Sequence, residues 1–172
     1  MKEIGLSKGY VALVDDEDFG WLSQWKWHVA DYGSCVYAKH TVKNSSGFHS
    51  LWMHRLILEA PPNMQVDHID GCGWNNQKKN LRLCTARENS YNKSSIKGSS
   101  SDFVGIYLNK SSRKTNSEVP SPCNWRADIS VGGKKIHLGY FKTEEEAAEA
   151  RDIASLRLYG EFAKLNFPEK IN

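Results

Sequence analysis

The sequence predicts an α+β fold made of two small modules, a ββα unit followed by a βββα unit. Two capping-box motifs carry this prediction, because Thr85-x-x-Glu88 and Thr143-x-x-Glu146 each mark the start of a helix after segments with strand character. Between the modules, residues 94–101 read Ser-Ser-Ile-Lys-Gly-Ser-Ser-Ser, a composition typical of a flexible linker. We therefore expect domains at residues 1–93 and 103–172, joined by a linker at residues 94–102.

The N-terminal third of the chain predicts strands with two short helices. Residues 10–15 have strand character, and the acidic run at residues 15–18 favours a helix start. The apolar residues that follow this start are Phe19, Leu22, Trp25 and Trp27. Residues 33–40 and 48–53 predict two further strands joined by an Asn-Ser-Ser-Gly turn, and residues 54–58 predict a short helix before a Pro-Pro pair.

The predicted ββα unit begins at Met64. Residues 64–69 and 81–84 have strand character, and the Gly/Asn-rich residues 70–79 form the loop between them. The first capping box then places Thr85 at the N-cap of a helix. This order predicts a hairpin with a helix packed against it.

Three polar residues of this unit have the chemistry of a metal-dependent hydrolase. Asp67 and His68 lie on the first predicted strand, and Asn89 lies just beyond the first turn of the helix. Carboxylate and amide oxygens suit Mg²⁺, and an imidazole beside a bound metal is a natural base for activating water. The set favours hydrolysis of a phosphodiester. The alternative is a turn carboxylate, a surface histidine and an asparagine that serves only the helix start.

The predicted βββα unit occupies residues 103–167. Residues 103–109, 124–131 and 134–141 have strand character, and Gly132-Gly133 is a strong two-residue hairpin signal between the last two. The second capping box opens a helix that ends at Gly160. Small residues along one stripe would let this helix lie close to the sheet. The predicted stripe is Ala147, Ala150, Ala154 and Leu158.

The net charge of +3 is unevenly distributed. Residues 1–77 have six basic against nine acidic residues, residues 78–135 have twelve against four, and residues 136–172 have five against seven. A basic middle segment favours binding of a polyanion such as nucleic acid, although a solvated lysine-rich face is the alternative.

The four cysteines, Cys35, Cys72, Cys84 and Cys123, form no Cys-x-x-Cys pair, so the sequence indicates neither a zinc knuckle nor a disulfide framework. No segment approaches the length of a membrane span. We expect a protein that does not bind membranes, in the cytoplasm of a bacterium or a phage-infected cell.

The ββα unit and the residues before it resemble the HNH nucleases, and in particular the homing endonucleases of phages and mobile introns. The resemblance covers roughly residues 48–93 and is carried by Met53-His54-Arg55-Leu56, Asp67-His68, Asn80 and Asn89. It implies that Asp67 and Asn89 bind a divalent metal, Mg²⁺ or Mn²⁺, that His68 is the general base, and that Asn80 braces the loop of the site. His54 is predicted to point at the metal site, to contact phosphate with Arg55, or to lie in the core.

Residues 103–167 resemble the ethylene-response-factor (APETALA-type) DNA-binding domain of plant transcription factors. The matching positions include Gly105, Trp125-Arg126-Ala127-x-Ile129, His137-Leu-Gly-Tyr-Phe141, Thr143 to Ala148, Gly160 and Ala163 to Phe167. That family reads the major groove with its sheet, which makes Trp125, Arg126, Lys135 and His137 candidate DNA contacts. Two departures are the long first hairpin at residues 111–123 and His137, where plant members usually have Trp.

The two resemblances together predict a site-specific DNA endonuclease, either a homing endonuclease or a nickase, that leaves 5′-phosphate and 3′-hydroxyl ends. The basic residues beside the site, Arg55, Lys78, Arg82 and Arg87, are further candidate contacts to double-stranded DNA. A monomer on an asymmetric target is expected, because one chain carries one site. The alternatives are a non-catalytic DNA-binding regulator that keeps an HNH-like fold, and a restriction enzyme.

Overall fold

A computed structural model describes residues 1–33, 35–92, 98–109 and 124–170. It contains both helices and sheets, which confirms the α+β class. The chain divides into two compact units, Met1–Ser90 and Tyr91–Asn172. The predicted linker lies partly outside the described residues, and so do Cys123 and the long first hairpin at residues 111–123.

The described residues of the first unit form three small antiparallel sheets and three short α-helices. In chain order its elements are β1 (Lys2–Gly5), β2 (Val11–Val14), α1 (Asp16–Leu22), β3 (His28–Asp31), β4 (Val36–Asn44), β5 (Gly47–Trp52), α2 (Met53–Ile57), β6 (Gln65–His68), β7 (Leu81–Cys84) and α3 (Ala86–Asn89). Strand β1 pairs with β2, β4 lies between β3 and β5, and β6 pairs with β7.

The core of the first unit joins the N-terminal elements to the segment that leads into β6. Leu22, Trp27 and Met53 are among its fully buried side chains. The backbone of Leu13 in β2 also exchanges hydrogen bonds with the loop before β7, since its N–H donates to the Trp74 carbonyl at 2.9 Å and its carbonyl accepts from Asn76 at 2.8 Å. The N-terminal strands therefore fix the conformation of that loop.

Most predicted elements of the first unit are present, but helix α1 ends before the apolar pattern of the sequence does. Helix α1 begins in the predicted acidic run but ends at Leu22, so Trp25 and Trp27 lie beyond it. The indole N–H of Trp27 donates to the Leu22 carbonyl at 2.9 Å, which satisfies a helix-end carbonyl while the chain turns toward β3. The sequence pattern does not predict strands β1 and β3.

The part of the second unit that the structure describes is a three-stranded antiparallel sheet with one α-helix. Its strands are β8 (Ile106–Leu108), β9 (Trp125–Val131) and β10 (Lys134–Phe141), with β9 in the centre, and α4 (Glu144–Tyr159) follows them. The hairpin between β9 and β10 has φ of 57° at Gly132 and 79° at Gly133, the left-handed conformation that a type I′ turn requires. The capping box of α4 is also present.

The buried face of α4 differs from the predicted alanine stripe. Ala147 is buried, but Leu158 is 46% exposed. The buried face instead contains the charged pair Arg151 and Asp152, because both satisfy backbone groups of the segment after the helix. Arg151 donates to the Lys164 carbonyl, and Asp152 accepts from the backbone N–H groups of Asn166 at 2.7 Å and Phe167 at 2.8 Å.

Two further expectations concern cysteines and membranes. Cys35, Cys72 and Cys84, the cysteines within the described residues, are thiols that form no disulfide with one another. None of the helices in the described part of the chain has the length and apolar character needed to span a membrane.

Candidate active site

Asp67 and His68 lie at the C-terminal end of β6, and both are 5% exposed. Strand β6 pairs with β7 so that Asp67 is opposite Arg82 and His68 is opposite Leu81. Because consecutive strand residues point to opposite faces, Asp67 shares a face with Gln65, while His68 lies on the other face. The pairing register therefore determines which neighbours each of the two residues meets.

The neighbour of Asp67 is the guanidinium of Arg82. Nε and Nη2 of Arg82 donate to the same carboxylate oxygen, Oδ2 of Asp67, at 2.8 Å and 2.6 Å. The two side chains are 13% and 6% exposed, so this is a largely buried ion pair. A buried carboxylate is stabilised by a cation or by several hydrogen bonds, and Arg82 provides the cation.

His68 lies in an aromatic environment that keeps its imidazole neutral. Its ring centroid is 5.2 Å from that of His54 and 5.7 Å from that of Tyr37. Burial lowers the pKa of His68 below 6.5, against the opposing effects of a hydrogen bond with the Asn76 side chain and of nearby carboxylates. At neutral pH the ring can therefore accept a proton.

His54, predicted to point at the metal site, to contact phosphate or to lie in the core, belongs to α2 beside His68 and is partly buried. Burial first, and then the neighbouring His68 and Arg55, lower the pKa of His54 to about 3. Its Nδ1 atom is buried and has no hydrogen-bond partner among the described residues. Tyr37 lies in β4, outside the predicted ββα unit, and Asn76 lies in the loop of that unit. No sequence motif therefore indicates either residue as a neighbour of His68.

Asn80 connects the two ends of the loop between β6 and β7. Its Nδ2 donates to Oδ1 of Asp70 at 2.9 Å and to the carbonyl of Asn75 at 2.8 Å, while its Oδ1 accepts from the Asp70 backbone N–H at 3.0 Å. The side chain is 7% exposed. These bonds are suited to bracing the loop.

Asn89 is the last residue of α3, whose capping box between Thr85 and Glu88 is present as predicted. Its Nδ2 donates to Oε1 of Gln65 at 2.7 Å, which fixes the orientation of the amide. No hydrogen bond to Oδ1 of Asn89 occurs among the described residues. Gln65 and Asp67 share a face of β6, so the Asn89 amide is held on the side of the strand that carries the carboxylate.

These residues have the donor chemistry of a site for a hard divalent cation. The described residues contain no group of three or more His, Cys, Asp and Glu side chains that could hold a metal. One carboxylate from Asp67 and one amide oxygen from Asn89 remain, and Mg²⁺ is typically held by one or two protein oxygens together with substrate phosphates. The pair fits such an ion, with Arg82 as the competing cation on Asp67.

The other basic residues predicted to lie near DNA have diverse surroundings. The guanidinium of Arg55 donates to three carbonyls, those of Met64, Ala60 and Pro61, at 2.8, 3.1 and 2.9 Å. Lys78 pairs with Glu17 and lies 3.4 Å from Asp18. Arg87 is exposed in α3. Arg55 thus organises the chain before β6.

In the second unit, the sheet places most of the predicted DNA contacts on one face. Arg126 is opposite Tyr107 and Tyr140, and Asp128 is opposite His137, so these side chains share a face. Nζ of Lys135 lies 5.6 Å from the Tyr107 ring centroid on the same face. Trp125 packs against the hydrophobic core cluster of the unit and is only partly buried.

A family model for the HNH endonucleases matches residues 52–91, the segment that contains β6, β7 and α3. Over 169 residues the chain is 31% identical to an uncharacterized HNH endonuclease of Acanthamoeba polyphaga mimivirus, covering 95% of this chain and 78% of the relative. The chain belongs to the HNH endonuclease family. This family membership indicates a nuclease with DNA as its substrate, and HNH nucleases generally use a divalent metal ion.

A second similarity is partial. The chain is 43% identical over 54 residues to Dehydration-responsive element-binding protein 2E of Arabidopsis thaliana, covering 31% of this chain and 22% of that protein. It is 51% identical over 45 residues to an AP2-like ethylene-responsive transcription factor of the same plant, covering 25% of this chain and 8% of that protein. The chain therefore spans less than a quarter of either plant protein.

Proposed function

We propose that this HNH endonuclease is a site-specific enzyme, a homing endonuclease or nickase, that hydrolyses a DNA phosphodiester with one divalent ion. The observation that carries the proposal is the buried Asp67-His68 pair on β6, beside a helix that presents Asn89 and a loop braced by Asn80. All four residues lie within the segment that matches the HNH endonuclease model.

Asp67 and Asn89 would hold the ion, because they supply a carboxylate and an amide oxygen from adjoining elements. Gln65 accepts a hydrogen bond from Nδ2 of Asn89, which leaves Oδ1 of Asn89 available to the ion. When bound, a divalent ion supplies Lewis-acid stabilisation of the scissile phosphate and of the departing oxygen. Mg²⁺ or Mn²⁺ fits this oxygen donor set.

His68 acts as the general base in this proposal. Its neutral imidazole takes a proton from the attacking water, a contribution that typically amounts to about 10²- to 10⁴-fold in rate. Attack on phosphorus with departure of the 3′ oxygen leaves a 5′-phosphate and a 3′-hydroxyl. Asn80 serves as a positioning residue, since its bonds hold the loop that follows His68.

The second unit recognises the DNA target sequence in this proposal. Its sheet face carries Arg126, Lys135 and His137 among tyrosine rings, a surface suited to phosphates and base edges. The similarity to plant transcription factors supports this role. Residues 1–93 would form the nuclease domain and residues 103–172 the DNA-binding domain, and a monomer would nick one strand at an asymmetric target.

A cleavage assay tests the proposal. Supercoiled plasmids that carry a library of candidate targets are incubated with the full chain in Mg²⁺ or in EDTA, and the ends of nicked products are mapped. We expect nicking in Mg²⁺ alone, lost in His68→Ala and retained in His49→Ala, a control at an exposed histidine of β5. DNA binding without nicking at any target would instead identify a non-catalytic regulator.

A further inference from the structure

We propose that His137 is a specificity-determining residue that presents a hydrogen-bond acceptor, its Nε2 atom, and thereby selects adenine or cytosine at the base it contacts. The inference rests on the proposed role of the second unit in DNA binding and deepens it. It concerns which bases one residue accepts, a question that resemblance to the plant domain leaves open because those proteins usually have Trp at this position.

The inference starts from a buried carboxylate under the exposed face of the sheet. Asp128 is 7% exposed, and its Oδ1 accepts from Nε of Arg126 at 2.8 Å and lies 3.1 Å from Nδ1 of His137. The three residues come from the paired strands β9 and β10, where Asp128 and His137 are directly opposite. One carboxylate oxygen thus organises two side chains that reach solvent.

This geometry determines the tautomer of His137. An ionised carboxylate can only accept hydrogen bonds, so Nδ1 of His137 must carry the hydrogen that points to Asp128. The guanidinium of Arg126 is always charged and already balances the carboxylate, so a second cation is not required. The neutral imidazole with hydrogen on Nδ1 leaves a lone pair on Nε2.

The acceptor is available to a ligand. The side chain of His137 is 38% exposed, and among the described residues no hydrogen bond involves its Nε2. The ring centroids of Tyr140 and His137 are 4.7 Å apart, at an interplanar angle of 60°. Together with the bond to Asp128, this contact fixes the ring orientation at the surface and reduces the entropy that would be lost on binding.

A fixed acceptor distinguishes bases in the major groove. Adenine N6 and cytosine N4 present amino donors there, whereas guanine presents N7 and O6 acceptors and thymine presents O4. A lone pair facing another lone pair leaves both groups unsatisfied. We therefore expect His137 to accept adenine or cytosine at one position of the contacted strand and to disfavour guanine and thymine by about tenfold or more.

Selection of bound DNA from a random duplex pool, using the full chain in EDTA, tests this inference. The wild type is compared with His137→Ala, with His137→Arg and with Lys134→Ala, a control at an exposed position of the same hairpin. We expect the wild type to enrich a motif with adenine or cytosine at one position. That position should become unselective in His137→Ala and shift to guanine in His137→Arg, because Arg donates to O6 and N7. Lys134→Ala should keep the motif.

The outcomes separate this inference from the proposed function. A wild-type motif that is unchanged in His137→Ala overturns the role of His137 but leaves DNA recognition by the chain intact. A His137-dependent position that selects guanine or thymine overturns the acceptor assignment alone. Failure of the wild type to enrich any motif overturns both the proposed role of the second unit in target recognition and this inference.

Discussion

Arg82 holds Asp67 through two guanidinium nitrogens on one carboxylate oxygen, Nε at 2.8 Å and Nη2 at 2.6 Å. The residues are directly opposite on β6 and β7, and both side chains are largely buried. If Asp67 also binds the divalent ion, the guanidinium and the ion are alternative partners for the same carboxylate. Their competition can be measured without any assay of cleavage.

Replacing Arg82 by Ala should destabilise the protein by about 3 kcal/mol, because it removes the cation from a buried carboxylate. Mg²⁺ should restore part of this loss, so the rise in stability on adding Mg²⁺ should be larger for Arg82→Ala than for the wild type. Urea denaturation in EDTA and in Mg²⁺ measures both quantities.

Lys170→Ala is the matched control for this test. Lys170 also forms an ion pair, with Glu149, but both side chains are well exposed. Its loss should destabilise the protein less than the loss of Arg82, because an exposed ion pair contributes little, and the effect should not depend on Mg²⁺. Equal responses to Mg²⁺ in the two variants would show that Arg82 and the ion do not compete for Asp67.

Gln65 should control ion affinity through Asn89. Gln65→Leu removes the acceptor for Nδ2 of Asn89 and frees the amide to rotate, so we expect Mn²⁺ affinity to fall by about tenfold, the low end for residues that orient metal ligands. Gln65→Glu keeps an acceptor and should retain the affinity. Titration calorimetry with Mn²⁺ measures the effect, with Gln24→Leu, at an exposed position, as the control. An affinity in Gln65→Leu equal to that of Gln24→Leu would count against Asn89 as a ligand.

Local chemistry explains which elements could be predicted from the sequence. The capping boxes at Thr85 and Thr143 and the Gly132-Gly133 hairpin are present as predicted, because each depends on residues within four positions of one another. Strands β1 (Lys-Glu-Ile-Gly) and β3 (His-Val-Ala-Asp) contain few apolar residues, unlike the equally short β2 (Val-Ala-Leu-Val), so their composition does not indicate a strand. Their pairing partners lie elsewhere in the chain, and propensity alone does not identify them.

The same distinction applies to buried polar residues. Arg151 and Asp152 displaced the predicted apolar stripe of α4 because they bond to backbone groups more than ten residues away, which helical periodicity does not reveal. In the candidate site, motif spacing predicts Asp67 and His68 as site residues. The sequence predicts Arg82 as a phosphate contact, and only the register of β6 with β7 brings it to the Asp67 carboxylate.

His54 should make the protein sensitive to acid. Its pKa falls from 6.5 in the unfolded chain to about 3 in the folded protein, so between these values the unfolded state binds the additional proton. As far as His54 is concerned, the free energy of unfolding therefore has its full value above pH 6.5. Between pH 6.5 and the folded-state pKa it decreases by about 1.4 kcal/mol for each unit by which pH falls. At pH 5 the protein should be about 2 kcal/mol less stable than at pH 7.5 through His54 alone.

Denaturation of wild type and His54→Phe at the two pH values isolates this contribution. Phe keeps an aromatic ring against Trp52 and Tyr37 but does not titrate, so the difference in stability between the variants should narrow or change sign in acid. His49→Gln, at an exposed histidine, should follow the wild type. A pH dependence in His54→Phe identical to that of the wild type would contradict the assignment.

Gly105 should be required for packing in the second unit, beyond its backbone conformation. It has φ of +77°, and a Cβ there would lie 2.5 Å from the carbonyl oxygen of Asp128, a backbone atom that cannot move aside independently. Gly133 has nearly the same φ, +79°, but a Cβ at that position would meet nothing within 4 Å. Gly133→Ala should therefore cost only the left-handed strain of about 1–2 kcal/mol, and Gly105→Ala should cost more by the steric term. Equal losses of stability for the two variants in thermal denaturation would mean that β8 and β9 relax around the added methyl group. The position of Asp128, which bonds to Arg126 and His137, would then be adjustable.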